Sequence, residues 1–247
     1  MIGFTSVSLR KYSVEEVVDA AKKAKADYIE WGTDVHVKTP EDARLAKKLC
    51  DEAGIAVRSL GSYYRIGSFD REAWSNVCEC ARITGAEYIR TWLGTKGSKS
   101  TSEKEYEKLL EDARLCCDEA AKYGLIVSNE CHHDTYNDET EATLKFLADA
   151  GRDNLKTYYQ SWYRDEQGDK DKLYRIFPFV TDVHISFSEM EKFQMLHKKD
   201  REFINKILLW LKDLGFDGGL TIEFTKGDKA DNLIGDTERL RELWKKA

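Results

Sequence analysis

The sequence predicts an α/β fold, a single (β/α)8 TIM barrel spanning residues 1–247. Three observations predict it. Short runs of branched and aromatic residues alternate with amphipathic stretches, giving about eight βα units. The length of 247 residues suits one such barrel, and with only Pro40 and Pro178 nothing resembles a linker. Several strand-like runs also stop abruptly on an acid or an imidazole, as in Ile126-Val-Ser-Asn-Glu130-Cys-His132-His133, Val180-Thr-Asp-Val-His184 and Gly219-Leu-Thr-Ile-Glu223. A barrel of parallel strands gathers such ends on one face.

In order, strands are expected near 2–8, 27–31, 55–60, 87–92, 125–130, 155–160, 180–187 and 219–224. Helices are expected near 13–25, 40–53, 70–84, 102–123, 138–150, 168–176, 199–214 and 236–246. Gly54, Gly85, Gly124, Gly151 and Gly215 each follow a helical pattern, where a left-handed cap is wanted. Ser13 with Glu16 has capping-box spacing, and Thr101 with Glu105 nearby marks another start. A doubly wound open sheet is the rival architecture. It calls for a glycine-rich first turn, whereas the first strand here runs into Ser8-Leu9-Arg10-Lys11.

Hydrophobic residues at 41% suffice for one sizeable core, and charged residues at 34% cover the helix exteriors. A net charge of −6 works against gripping phosphate backbones, so no nucleic-acid partner is expected. The N-terminus lacks a basic segment before a long apolar run, and no stretch reaches transmembrane length, so a cytoplasmic protein without membrane partners is expected. The six cysteines include no CxxC pair and read as reduced, packed thiols.

Parallel strands would bring Glu30, His36, Arg90, Glu130, His132, Gln160, His184 and Glu223 to one rim. Carboxylates at the ends of core strands are costly unless paired. A divalent cation removes that cost. Two carboxylates, an imidazole and an amide oxygen suit one ion of Mn or Mg, with Co or Zn as further options. Trp31, Tyr63, Tyr64, Trp92, Tyr158, Tyr159, Trp162 and Tyr163 lie near the same ends, a wall suited to the C–H faces of a small carbohydrate. Plainer roles compete: Glu130 and Glu223 salt-bridged to Arg90 or a lysine, His184 bonded to a backbone carbonyl, and the aromatic residues as barrel packing. His132 and His133 are adjacent and point opposite ways, with His132 expected to face the site and His197 to be solvated.

Several segments recur in a known order: Ile29-Glu30-Trp31-Gly32 through His36-Val37, Gly61 to Gly67, Glu130-Cys-His132 followed by Asp138-Glu-Thr140, Tyr159-Gln160, Val183-His184 and Ile222-Glu223-Phe224 with Lys226-Gly227. In this order the chain resembles, over nearly its whole length, the xylose isomerase-like barrels of the sugar phosphate isomerase/epimerase family. The resemblance implies a metal held by Glu130, Gln160, His184 and Glu223, with Gln160 standing where relatives carry Asp. It implies isomerisation or epimerisation of a small sugar or sugar phosphate through an enediolate, with Glu130 and Glu223 as acid and base. Substrate contacts would come from Glu30, His36, Arg90, His132, Trp31 and Tyr163, the last standing where relatives often place a His. Ile-Ser-Phe follows His184 where relatives often continue with Lys-Asp. The alternatives are a metal-dependent hydrolase or lyase on the same barrel, including an abasic-site endonuclease, or a non-catalytic sugar-binding barrel. The sequence leaves oligomeric state open, a homo-oligomer included.

Overall fold

Each strand pairs in parallel with its neighbours in chain order, and β1 also pairs with β8, so the sheet closes on itself and leaves no free edge. The strands are β1 (Ile2–Thr5), β2 (Tyr28–Gly32), β3 (Ala56–Ile66), β4 (Tyr88–Leu93), β5 (Ile126–Glu130), β6 (Leu155–Gln160), β7 (Val180–Ile185) and β8 (Gly219–Ile222). The helices are α1 (Val14–Ala24), α2 (Pro40–Ala53), α3 (Arg71–Thr84), α4 (Glu103–Ala121), α5 (Thr140–Ala150), α6 (Glu166–Ile176), α7 (Asp200–Asp213) and α8 (Ala230–Lys246). This computed structural model describes residues 1–161, 166–187 and 200–247, so the expected roles of Tyr163, Trp162 and His197 lie outside the described residues.

Period-two alternation decides what each strand residue does. Ile29 and Trp31, Ile89, Val127, Tyr159, Val183 and Ile185, and Leu220 and Ile222 join the hydrophobic core packed under the helices. The alternate positions are buried and largely polar: Tyr28 and Glu30, Tyr88 and Arg90, Ser128 and Glu130, Tyr158, Asp182 and His184, Thr221 and Glu223. Their mutual bonds across the barrel show that they face its axis. The apolar core is therefore a ring between sheet and helices, and the barrel interior is a polar column.

Several boundaries differ from expectation for physical reasons. β1 stops at Thr5 because Ser6–Leu9 curl into a 3-10 turn. β3 runs on to Ile66 past Gly61, whose missing side chain is required: a Cβ there would meet Glu30 Oε1 at 2.9 Å and Arg90 Nη2 at 3.0 Å. α8 begins at Ala230, earlier than expected, because Asn232 and Gly235 obscure a stripe in which Leu233, Thr237 and Leu240 are buried. The α4 cap is Ser102 rather than Thr101, and it forms a full capping box with Glu105. Thr39 and Asp42 make the same reciprocal pair at α2. Such caps each contribute about 1 kcal/mol. All six cysteines are free and buried. Among the described residues no helix is long and apolar enough to cross a membrane.

Candidate active site

The site rests on a polar floor that sequence reasoning missed. Asp182, fully buried, accepts hydrogen bonds from Tyr88 Oη at 2.7 Å, Thr221 Oγ1 at 2.5 Å and Tyr28 Oη at 3.4 Å. Arg58 Nε lies 3.7 Å from the same carboxylate. Burial is the largest influence on Asp182 and pushes its pKa up to about 6, against the opposing charge of His184 and the hydroxyl donors. A signal was available: on a strand, the residue two before a site residue shares its face. Tyr28, Tyr88, Asp182 and Thr221 stand in that relation to Glu30, Arg90, His184 and Glu223.

Above the floor, the strand ends bring together Glu30, Arg90, Glu130, His184 and Glu223, all buried. Glu30 Oε2 accepts from Ser59 Oγ at 2.8 Å and from Tyr158 Oη at 2.7 Å, and its Oε1 lies 3.6 Å from His184 Nε2. Arg90 sits between two acids, with Nε 3.5 Å from Glu30 Oε1 and Nη1 donating to Glu130 Oε2. Trp92 Nε1 donates to that same Glu130 oxygen at 2.6 Å. On the other side, Gln160 Nε2 donates to Glu223 Oε2 at 3.0 Å. His184 Nδ1 is 3.3 Å from Glu130 Oε1 and 3.3 Å from Glu223 Oε2. Sequence reasoning missed Ser59 and Tyr158 as the partners that hold Glu30.

Electrostatics follows from this packing. Burial alone would lower the His184 pKa, but the charges of Glu223 and Glu30 and the contact with Glu130 overcome it and hold it well above the ordinary value. Burial pushes Glu30 up, yet His184, Arg90 and Tyr158 outweigh it and bring the carboxyl down to about 2. For Glu130, Arg90 and His184 likewise prevail over burial, and its pKa is strongly lowered. Arg90 is desolvated, but Glu130, Glu30 and Glu223 keep it charged.

One ligand atom each from Glu130, His184 and Glu223 can be chosen so that all lie within 4.8 Å of one another. His184 Nδ1 and Nε2 and Gln160 Oε1 are buried without a hydrogen-bond partner. Buried polar atoms left unpaired in a carboxylate cluster fit a cation better than they fit an empty cavity. Charge agrees. With a neutral imidazole, three carboxylates against one guanidinium leave two negative charges, which a divalent ion cancels. Glu30 at His184 Nε2 then has the geometry of an acid that orients a ligating imidazole from behind.

The mouth is aromatic. Tyr63 and Trp92 meet edge to face at 5.2 Å, and the half-buried His132 ring packs on Trp92 at 4.9 Å. His132 Nδ1 lies 2.7 Å from the carbonyl of His133, which can only accept, so Nδ1 carries the proton and Nε2 is the basic nitrogen. Arg10, which sequence reasoning did not select, donates to Tyr63 Oη at 2.5 Å and pairs with Asp34.

Two expected substrate contacts are corrected. Trp31 neighbours Glu30 on a strand and so points the other way, into the helix-side core, where it is fully buried. His36 has both nitrogens engaged, Nδ1 with Ser6 Oγ and Nε2 with the Tyr12 carbonyl, each at 3.0 Å, so it ties the first two strand loops together.

A family model described as a xylose isomerase-like TIM barrel matches residues 18–245. A 3-dehydroshikimate dehydratase of Bacillus anthracis is 24% identical over 196 residues, which is 75% of this chain and 69% of that protein. Among solved structures, the probable 3-DHS dehydratase of Bacillus anthracis superposes with a TM-score of 0.81 at 18% identity, over 97% of this chain and 98% of that one. D-allulose 3-epimerase from Methylomonas sp. in complex with D-allulose gives 0.78 at 17% identity, over 98% and 96%. At such identities the structural matches speak for the fold.

Proposed function

The chain belongs to the xylose isomerase-like TIM-barrel family, and from that premise we propose that it is a divalent-metal-dependent isomerase or epimerase of a small sugar or sugar phosphate. The observation that carries this reading is the convergence of Glu130 Oε1 and Glu223 Oε2 on His184 Nδ1, 3.3 Å from each. One divalent ion held by Glu130, His184 and Glu223, with Gln160 Oε1 beside them, would polarise the substrate carbonyl as a Lewis acid. The oxygen-rich set favours Mn or Mg.

The chain's own groups do the rest. Glu223 takes the proton from the carbon next to the carbonyl, and Glu130 serves the opposite face. Arg90 balances the charge of Glu130 and Glu30 throughout. Tyr63 and Trp92 form an aromatic rim that flanks the sugar's C–H surface and keeps water from the reacting carbon. In deuterated water the metal-loaded protein, screened by NMR against ketoses, aldoses and their phosphates, should place deuterium on the carbon adjacent to the carbonyl. A screen that gives neither label nor product on any member overturns the reading.

A second reading, a dehydratase, is favoured by an asymmetry at the site. Glu130 Oε2 is fixed by both Arg90 and Trp92, whereas Glu223 is held more lightly by Gln160. Elimination of water needs one base and one acid for the leaving hydroxyl, and His132, with Nε2 as its basic nitrogen, stands at the rim for the first task. The curated relative named as a dehydratase agrees with it. In the same NMR screen, a dehydrated product in place of a labelled epimer identifies this chemistry.

A further inference from the structure

A cavity of about 270 Å³ lies between the loops that follow β3 and β4, lined by Arg65, Gly67, Ser68, Thr95, Lys96 and Lys108 among others. Because these loops leave the C-terminal ends of their strands, the cavity opens on the same rim as the acid and imidazole cluster. Arg65, which lines the cavity, links the two. The guanidinium of Arg65 lies over the Trp92 ring at 4.3 Å, and the same indole donates through Nε1 to Glu130.

Arg65 differs from the nearby buried and half-buried arginines Arg58, Arg71 and Arg90. Each of these has carboxylate partners, and their pKa values are raised. Among the described residues, Arg65 makes one hydrogen bond, from Nη1 to the Gly94 carbonyl at 2.8 Å, and no ion pair. Burial alone acts on it, lowering its pKa. Lys96 is held by Glu105 at 2.5 Å, while Lys108 is exposed and forms no ion pair among the described residues. The cavity therefore carries an excess of positive charge, with most of the Arg65 donor fork unspent.

We propose that this cavity is an oxyanion subsite that takes the terminal phosphate or carboxylate of the substrate, with Arg65 as its clasp and Lys108 at its rim. The inference rests on the proposed function only for the molecule that brings the anion. A substrate reaching past the Arg65–Trp92 pair would then have its reacting carbon at Glu130 and Glu223 and its charged end at Arg65. A planar fork suits either group, since both present two oxygens to one guanidinium.

The direct probe is inorganic phosphate, titrated into metal-free 15N-labelled protein and followed by the amide signals of Gly67, Ser68, Gly94 and Thr95. Saturable shifts are expected, with affinity falling about tenfold or more in Arg65→Gln. Arg65→Lys keeps the charge without the fork and should lie between. It also keeps the test readable should Arg65→Gln fold poorly. Acetate shifting the same amides more tightly than phosphate assigns the subsite to a carboxylate, and the reverse order assigns it to a phosphate ester. Absence of saturable shifts, or equal affinity in wild type and in Arg65→Gln of unchanged melting temperature, overturns the proposal. Because this titration needs no turnover, it separates failure of the subsite from failure of the sugar chemistry. With an active anionic substrate in hand, Arg65→Gln should raise KM more than it lowers kcat.

Discussion

Glu223→Gln should cut turnover by roughly a thousandfold at saturating metal, the size expected for losing a positioned acid or base. The substitution keeps the side chain's shape in a site where Glu223 is only 5% exposed, so packing is preserved. It removes proton-accepting capacity and one of the two charges beside His184 Nδ1. Metal affinity should therefore fall as well, which is why the rate is read at saturation. Deuterium incorporation at the reacting carbon is the measurement. A variant within a few-fold of wild type would show that Glu223 does not take the proton.

Arg90→Met has the largest expected effect on stability. Arg90 is 2% exposed and is shared by Glu30 and Glu130, which are themselves buried. Removing it leaves two carboxylates facing one another with only His184 between them. Loss of one partner of a buried ion pair costs roughly 3–5 kcal/mol, because the stranded charge stays desolvated. Chemical denaturation of metal-free protein at neutral pH reads this directly, and a loss near zero would contradict the assigned network. The wild-type sign runs with Glu30. Its carboxyl is lowered from 4.5 to about 2, so its contribution is present above 4.5 and is lost as pH falls toward 2. In the variant that acid-side loss should shrink, since protonation then relieves repulsion.

Much of the fold was legible because period-two strands and capped amphipathic helices announce themselves locally. Glu130, His184 and Glu223 stood out for the same reason, as polar ends of apolar runs. The identical logic, carried one step further, would have turned Trp31 outward, since it adjoins Glu30. Carried two residues back from His184, it would have found Asp182. His36 and Arg10 were harder. Their partners Ser6, Tyr12 and Tyr63 come from other loops, and no spacing within a single segment reveals such contacts. Gly61 was visible as an interruption of β3, yet only the Glu30–Arg90 contact explains why no side chain fits there.

Calorimetric titration of a divalent ion into metal-stripped protein tests the central claim most directly. In the absence of the ion, the charges of Glu223 and Glu30 and the contact with Glu130 overcome burial, hold the His184 pKa well above its ordinary value and favour the protonated ring. Binding must then displace that proton, so affinity should rise with pH and about one proton should be released per ion. The account predicts one Mn or Mg ion per chain, lost in His184→Ala and weakened in Glu130→Gln and Glu223→Gln. No stoichiometric binding by the wild type, or equal binding by His184→Ala, would contradict it.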